Sequence, residues 1–114
     1  MSFLYKINAN DDIVLINLSG SLIGKNQIEE LLTELDFFIN EGKSKVILDL
    51  SEMNYMNSTG LSVLINIFTQ VRNKGGEVVL VNIPEKINKL LLITKLNSIF
   101  NVENTVEDAK KVLM

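Results

Sequence analysis

The chain opens with two short segments in which apolar and polar residues alternate loosely, a pattern typical of strands. The first spans residues 3–8, and the second, residues 13–18, is rich in branched apolar side chains. Residues 10–12 (Asn-Asp-Asp) stand between them and favour a turn. The pattern therefore predicts a hairpin at the edge of a sheet, with residues 19–21 (Ser-Gly-Ser) ending its second strand.

Farther along, the apolar spacing changes to three and four residues, which is the period of an amphipathic helix. We expect Asn26 to cap the first such helix and Gly42 to follow its end. A second helix is predicted from about Ser58 to Lys74, just before Gly75-Gly76. The apolar faces would be Ile28, Leu31, Leu32, Leu35, Phe38 and Ile39 in the first helix, and Leu61, Leu64, Ile65, Phe68 and Val71 or Arg72 in the second.

Two short apolar runs, residues 46–50 and 78–81, have the composition of strands buried on both faces. Pro84 then favours the first turn of a third helix, and residues 97–102 predict a loop with a short strand. Thr105 is placed to cap a last helix, with Asp108 three residues later. The apolar residues of these two helices are Ile87, Leu90, Leu91 and Ile93, then Val106, Ala109, Val112 and Leu113.

The resulting element order is ββαβαβαβα, and its helix-length connections between apolar strands imply parallel pairing. A length of 114 residues fits one domain. We therefore predict a single α/β domain over residues 1–114, with a mixed, mostly parallel sheet of about five strands and four helices. Functional loops of such sheets gather at the carboxyl ends of strands, here residues 19–25 and 51–60.

Composition narrows the chemistry that the chain can carry. The sequence contains no histidine, cysteine or tryptophan, which excludes Ser-His-Asp and Cys-His nucleophilic sites, structural zinc and disulfides. We expect no cofactor and no metal. The net charge is −3 with scattered basic residues, so no nucleic acid is expected as a partner. The first residues lack a signal-peptide pattern and no apolar run approaches about 18 residues, so we expect a cytoplasmic protein without membrane insertion.

Residues 57–60 (Asn-Ser-Thr-Gly) follow a predicted strand and open a predicted helix. Asn57, Ser58 and Thr59 are residue types that cap helices whether or not anything binds. The free amides and positive dipole at the same place would stabilise an anion by about 0.3–1 kcal/mol, and a phosphate on Ser58 would add about −1.5 to −2 charge there. Gly60 would serve either such a site or close packing alone, and the residue types leave both interpretations open.

A resemblance to a known family favours the interpretation of this segment as a phosphate site. Asp49-Leu50-Ser51, followed by residues 56–61 (Met-Asn-Ser-Thr-Gly-Leu), resembles the signature of the STAS domain family, which includes the bacterial anti-sigma factor antagonists. Gly20-Ser21-Leu22 is similar to the Gly-x-Leu that follows the family's second strand. Gly75-Gly76 with residues 79–82, and then residues 93–100 and 105–109, extend the likeness over essentially the whole chain.

The resemblance implies a protein-binding switch and not an enzyme. Such antagonists, when unphosphorylated, bind an anti-sigma factor that is also their serine/threonine kinase, and a sigma factor is thereby released. The kinase then phosphorylates the serine of the motif and the complex dissociates, until a metal-dependent phosphatase of the PP2C type reverses the step. By position the implied phosphoacceptor is Ser58. The residues implied to lie near it or to contact the partner are Ser21, Ile23, Met56, Asn57, Thr59 and Gly60.

The sequence departs from the family pattern at two positions. Asn57 replaces the acid that usually precedes the serine, and Ile23 replaces an Asp common in phosphorylated antagonists. These departures motivate an alternative, a STAS domain that is a constitutive interaction subunit of a larger signalling or transport assembly, with Ser58 as a helix cap only. A small enzyme or nucleotide-binding domain is disfavoured, because no glycine-rich phosphate loop is present.

Four side chains near the motif keep open roles. Ile23 either adds to an apolar partner surface or packs beneath the first helix. Met53, Tyr55 and Met56 likewise fit a partner surface, where Met adapts to varied contacts, or the core below the loop. For Asp49 we expect hydrogen bonds to the segment that follows it rather than a catalytic role.

Overall fold

The structure, a computed structural model, describes residues 2–114. Its elements alternate in the predicted order ββαβαβαβα, and two short 3-10 segments lie at 25–28 and 96–98. The strands and helices are β1 (Phe3–Asn10), β2 (Ile13–Leu22), α1 (Glu29–Asn40), β3 (Lys45–Met56), α2 (Ser58–Asn73), β4 (Glu77–Val81), α3 (Glu85–Ile93), β5 (Asn101–Glu103) and α4 (Val106–Leu113). The predicted single α/β fold is thus confirmed.

The five strands form one sheet in the spatial order β1-β2-β3-β4-β5. β1 and β2 are the antiparallel hairpin that the alternation predicts, and the other three pairings are parallel. The main core lies between one face of the sheet and helices α1, α2 and α3. A smaller core on the opposite face joins Ile47, Val79 and Val81 to Ala109 and Leu113 of α4. Both faces of the central strands are therefore covered.

β3 is longer than the apolar run from which it was predicted. The interpretation of residues 51–60 as a loop junction is wrong, because the strand continues to Met56. The pairing of β3 with β2 shifts register twice, after Asp49 and after Met53, and at each shift β3 contains one residue more than β2. As a result Leu50, Met53 and Met56 are all buried in the main core at a spacing of three. This spacing is unlike the alternation of a regular strand.

β2 also runs past the point at which it was predicted to end. Gly20 lies inside the strand with a φ of +88°, a region that other residues rarely adopt. A Cβ at this position would collide with the carbonyl oxygen of Ser2. The same oxygen accepts a hydrogen bond of 3.1 Å from the backbone amide of Ser21. Gly20 therefore lets the strand bend and continue, and residues 19–21 do not break it.

Asp49 is a buried charged side chain, and it connects β2, β3 and the residue that follows β4. Its Oδ1 accepts hydrogen bonds from the Ser51 backbone amide (3.0 Å) and from the Asn82 side chain (3.3 Å). Its Oδ2 accepts one from the Asn17 side chain (3.1 Å). The bond to Ser51 confirms the predicted role and holds the chain at the first register shift. Hydrogen bonds of this kind compensate for the burial of the carboxylate.

The helix ends agree only partly with the predicted caps. Thr105 caps α4 as predicted, since its Oγ1 accepts the Asp108 amide at 3.1 Å, and Gly42 follows α1 with positive φ. Asn26 is not the cap of α1, because it lies inside the 3-10 segment. The Oε1 of Gln27 instead accepts the Ile23 and Gly24 amides at 2.8 and 2.9 Å.

Two residues placed on apolar helix faces are exposed instead. Ile93 in the last turn of α3 is 79% exposed, and Val112 in α4 is 55% exposed. Ile87 and Leu91 carry the contact of α3 with the core, and Ala109 and Leu113 carry that of α4. Short helices need only one narrow apolar stripe, so an apolar residue outside it stays in solvent.

Ile67 and Ile93 allow a matched test of this core. Ile67 of α2 is fully buried, whereas Ile93 is largely exposed. We expect Ile67→Ala to lower the free energy of unfolding by about 2–5 kcal/mol, because it leaves a cavity. Ile93→Ala should change it by less than about 0.5 kcal/mol. Urea unfolding followed by circular dichroism measures both, and equal losses would contradict this packing.

Gly60 allows a second test, of the contact between α2 and β2. A Cβ at Gly60 would collide with the carbonyl oxygen of Leu22 and lie 2.8 Å from Cγ of Met56. We expect Gly60→Ala to cost about 1–3 kcal/mol of unfolding free energy through overpacking, although alanine favours helices. The control is Asn66→Ala on the exposed side of the same helix, which should not destabilise. A Gly60→Ala variant as stable as the unmodified protein would refute the close contact.

Candidate functional site

The two predicted functional segments meet at the edge of the sheet that is formed by the carboxyl ends of β2 and β3. β2 and β3 are parallel neighbours, and their last residues, Leu22 and Met56, are paired. Only Asn57 separates β3 from the first residue of α2. We call the exposed residues at this edge, Ile23, Ser58 and Thr59, together with the partly exposed Asn57, the Ser58 surface.

Asn57 is the N-cap of α2. Its backbone is extended, its Oδ1 accepts the Gly60 amide at 2.8 Å, and its carbonyl oxygen accepts the Leu61 amide at 2.9 Å. The capping interpretation of this residue is therefore confirmed. An aspartate would offer the same oxygen to the same amide, so the substitution of Asn for the family's usual acid keeps the helix start intact.

Ser58 is the first residue of α2 and is exposed, as is Thr59. The backbone amides in the first turn of a helix have no carbonyl of the preceding turn to which they can donate. Here the Asn57 side chain accepts the hydrogen bond of the Gly60 amide. The Ser58 hydroxyl thus lies in solvent beside the positive end of the helix dipole. This placement allows a bulky anion on the hydroxyl without displacing any core side chain.

Ser21, Met56 and Gly60 lie beneath the Ser58 surface and are buried. The Ser21 backbone carbonyl accepts a hydrogen bond of 3.0 Å from the Gln27 side chain, which fixes the end of β2 to the next segment. Met56 packs against Gly60 from the core side. These three residues therefore support the surface from within.

The structure also resolves the alternatives at the neighbouring apolar residues. Ile23 is 47% exposed, so it does not pack beneath the first helix. Met53 and Met56 belong to the main core. Tyr55 is half exposed and pairs with Ser21 across the strands, so it lies near the same edge. Ile23 therefore gives the Ser58 surface apolar area, and Tyr55 adds more beside it.

The sequence around Ser58 is uncharged over a long stretch. No Asp, Glu, Lys or Arg occurs between Glu52 and Arg72, and the first turn of α2 carries no acid. The first turns of α1, α3 and α4 each carry at least one. The positive end of the α2 dipole consequently lacks a compensating carboxylate, and a phosphate would supply that charge.

The uncharged character of the Ser58 surface continues along the exposed side of α2, which the sequence analysis did not predict. Ser58, Ser62, Asn66 and Thr69 recur at helical spacing and are exposed, which makes an uncharged polar stripe along the helix. The signal that could have revealed it is the missing charge between Glu52 and Arg72, since an exposed helix face normally carries charged residues.

Two further properties bear on what the site can do. Within residues 2–114, no three Asp or Glu side chains converge closely enough to hold a metal ion. None of the helices described is both long and apolar enough to cross a bilayer. The chemistry that this arrangement offers is thus an accessible hydroxyl on a rigid, uncharged surface.

Comparison with known proteins identifies the family. The STAS domain matches residues 5–109 of the chain. A Thermotoga maritima protein described as a candidate anti-sigma factor antagonist is 32% identical over 107 residues, covering 94% of this chain and 93% of its own. The anti-sigma-B factor antagonist of Bacillus subtilis is 27% identical over 104 residues, covering 90% and 92%.

A solved structure shares the fold. The Bacillus cell-fate determinant SpoIIAA in its phosphorylated form superposes with a TM-score of 0.72 at 18% identity, covering 97% of this chain and 100% of that one. The match to the family spans nearly all of the sheet and helices described above. The chain therefore belongs to the STAS domain family.

Proposed function

We propose that this protein is an anti-sigma factor antagonist that is switched by phosphorylation of Ser58. In the unphosphorylated state it binds an anti-sigma factor, which is also a serine/threonine kinase, and a sigma factor is released. A phosphatase of the PP2C type removes the phosphate and restores binding. The observation that carries the proposal is the exposed Ser58 at the first position of α2, in a chain whose relatives are named as anti-sigma factor antagonists.

The transfer step needs no catalytic group from this chain. The Ser58 Oγ attacks the γ-phosphorus of ATP held by the kinase, the bond to the bridging oxygen breaks, and ADP leaves. The hydroxyl proton passes to a base of the kinase. The substrate must present an accessible hydroxyl, and the exposed position of Ser58 fulfils this requirement.

A phosphate on Ser58 would act on binding and not on folding. The amide ends and dipole of α2 favour the anion by about 0.3–1 kcal/mol, so the helix start tolerates it. A partner that covers the uncharged surface would instead have to bury about −1.5 to −2 charges, which costs desolvation and repels nearby acids. The difference between these two environments is the physical basis of the proposed switch.

The two departures from the family pattern are compatible with this mechanism. Asn57 retains the capping bond to Gly60, and the exposed Ile23 gives a partner apolar area to bury. The same departures motivate the second candidate function, a STAS subunit that binds its partner constitutively. The proposal places the protein in the cytoplasm, where the anti-sigma factor would meet it.

The first test is phosphorylation itself. Incubation with the cognate kinase and ATP should add one phosphate, as measured by intact-mass spectrometry. Ser58→Ala should abolish the addition, and the control Thr59→Ala, which removes the adjacent exposed hydroxyl, should leave it intact. If the active kinase adds no phosphate although it binds the protein, the constitutive-subunit function is correct instead.

The second test separates charge from shape at Ser58. We expect Ser58→Asp to weaken binding to the anti-sigma factor about tenfold or more, because the carboxylate must be desolvated in the contact. Ser58→Asn has a similar shape without the charge and should bind nearly as the unmodified protein does. Isothermal titration calorimetry compares them. Equal affinity for the Asp and Asn variants would show that charge is not the signal.

A further inference from the structure

Apart from Lys6, the free edge of β1 lacks the features that usually protect an edge strand. β1 is the end strand of the sheet and pairs only with β2, through eight residues in unbroken register. It contains no proline and no bulge, and Lys6 is its one charged residue. An edge strand of this length and regularity is a template for another extended chain.

The pairing with β2 fixes which backbone groups face outward. The Ser21 amide bonds to the Ser2 carbonyl, so Ser2 and Ser21 form a hydrogen-bonded antiparallel pair. Such pairs alternate with pairs whose N–H and C=O groups point away from the partner strand. Phe3, Tyr5, Ile7 and Ala9 therefore direct their backbone groups to the free edge.

A groove of about 620 Å³ lies between this edge and α1. Phe3, Tyr5 and Ile7 line one side, and their side chains are only partly buried although they contact the main core. Glu29, Glu30 and Glu34 of α1 line the other side, and no Lys or Arg is among the lining residues.

The carboxylates of the groove take part in none of the ion pairs found among the described residues. The ion pairs found in residues 2–114 involve other acids, namely Asp12, Asp36, Glu77 and Glu85. Glu34 accepts a hydrogen bond of 2.6 Å from the Tyr5 hydroxyl. This bond raises the pKa of Tyr5 to about 12. A tyrosine is neutral near pH 7 even at its ordinary pKa, so Tyr5 adds no charge to the groove.

The spacing of the acids matches that of an added strand. Glu30 and Glu34 are separated by one helical step of four residues, about 6 Å along the axis. Alternate residues of a strand, which share one face, are about 6.8 Å apart. Two basic side chains at alternate positions of an added strand would therefore have nearly the same spacing as these two carboxylates.

The same charges argue against a second copy of this chain as the occupant. If two β1 edges paired about a two-fold axis, the three glutamates of each copy would lie along one junction. No basic residue lines the groove to offset them. Like charges brought together at an interface oppose association.

We propose that the β1 edge and its groove bind an extended segment of a partner protein as a sixth strand, with lysine or arginine at alternate positions facing α1. Main-chain hydrogen bonds to Phe3, Tyr5, Ile7 and Ala9 supply affinity in this mode, and the side-chain positions supply selectivity. This surface is separate from Ser58 and does not depend on the proposed switch.

The test uses the full chain and an acetylated probe peptide of eight residues, Lys-Val repeated four times, to match the length of β1. Fluorescence anisotropy measures its affinity, and amide shifts in NMR spectra locate it. We expect the largest shifts at Phe3, Tyr5 and Ile7. The double variant Glu30→Gln, Glu34→Gln should weaken binding about tenfold, the loss expected for two exposed ion pairs at the upper end of their range.

Three controls decide the outcome. The double variant Glu85→Gln, Glu107→Gln removes the same charge from exposed residues outside the groove and should bind the probe within about twofold. A Glu-Val peptide of the same length should not bind. A Lys-Val peptide with all of its backbone amides N-methylated should bind much more weakly, because neither of its edges can donate hydrogen bonds. Equal binding of the methylated peptide, or shifts spread over other acids, would overturn the proposal.

Discussion

The position of Ser58 depends on one close contact, that of α2 with the end of β2. Because Gly60 has no side chain, the first turn of the helix rests directly on the Leu22 carbonyl, with Met56 filling the space beside it. Asn57 is the single residue at which the chain turns from strand to helix, and its side chain holds that turn by accepting the Gly60 amide. Ser58 is consequently held on a rigid element at the surface, although no contact of its own side chain is needed to hold it.

The sequence predicted the fold well because its helices and central strands have clear apolar periods. It predicted the length of β3 poorly, because two register shifts turn the alternation of a strand into the spacing of Leu50, Met53 and Met56. That spacing equally fits a loop over a core. The continuation of β2 through Gly20 was missed for a related reason, since a glycine inside a strand and a glycine ending one look alike in sequence. Such irregularities depend on tertiary contacts, here those of Asp49 and Ser2.

At the candidate site, the residue types predicted the helix cap, whereas only the structure shows which side chains are exposed. Asn57 as a cap follows from position alone, whereas the burial of Ser21 and Met56 and the exposure of Ile23 do not. The two outcomes have separate local causes. The register shifts in β3 turn Met56 toward the core. Gln27, in the 3-10 segment at 25–28, accepts the backbone amides of Ile23 and Gly24 just before it, which holds the backbone there while the Ile23 side chain stays exposed. The sequence therefore identifies the place of the site, and the packing below it selects which side chains a partner can reach.

Gln27 links the two surfaces that the structure presents. Its side chain holds the backbone of Ile23 and Gly24 and also lines the groove beside β1. The surfaces differ in charge, because the Ser58 surface is uncharged at the positive end of a helix dipole and the groove is lined by glutamates. A phosphate on Ser58 would oppose a partner that must bury it, but it would add negative charge to a molecule whose groove is already lined by glutamates. Under the two proposals together, phosphorylation would release a partner from the first surface without repelling a basic partner from the second, so the domain could hold a basic partner in both states of the proposed switch.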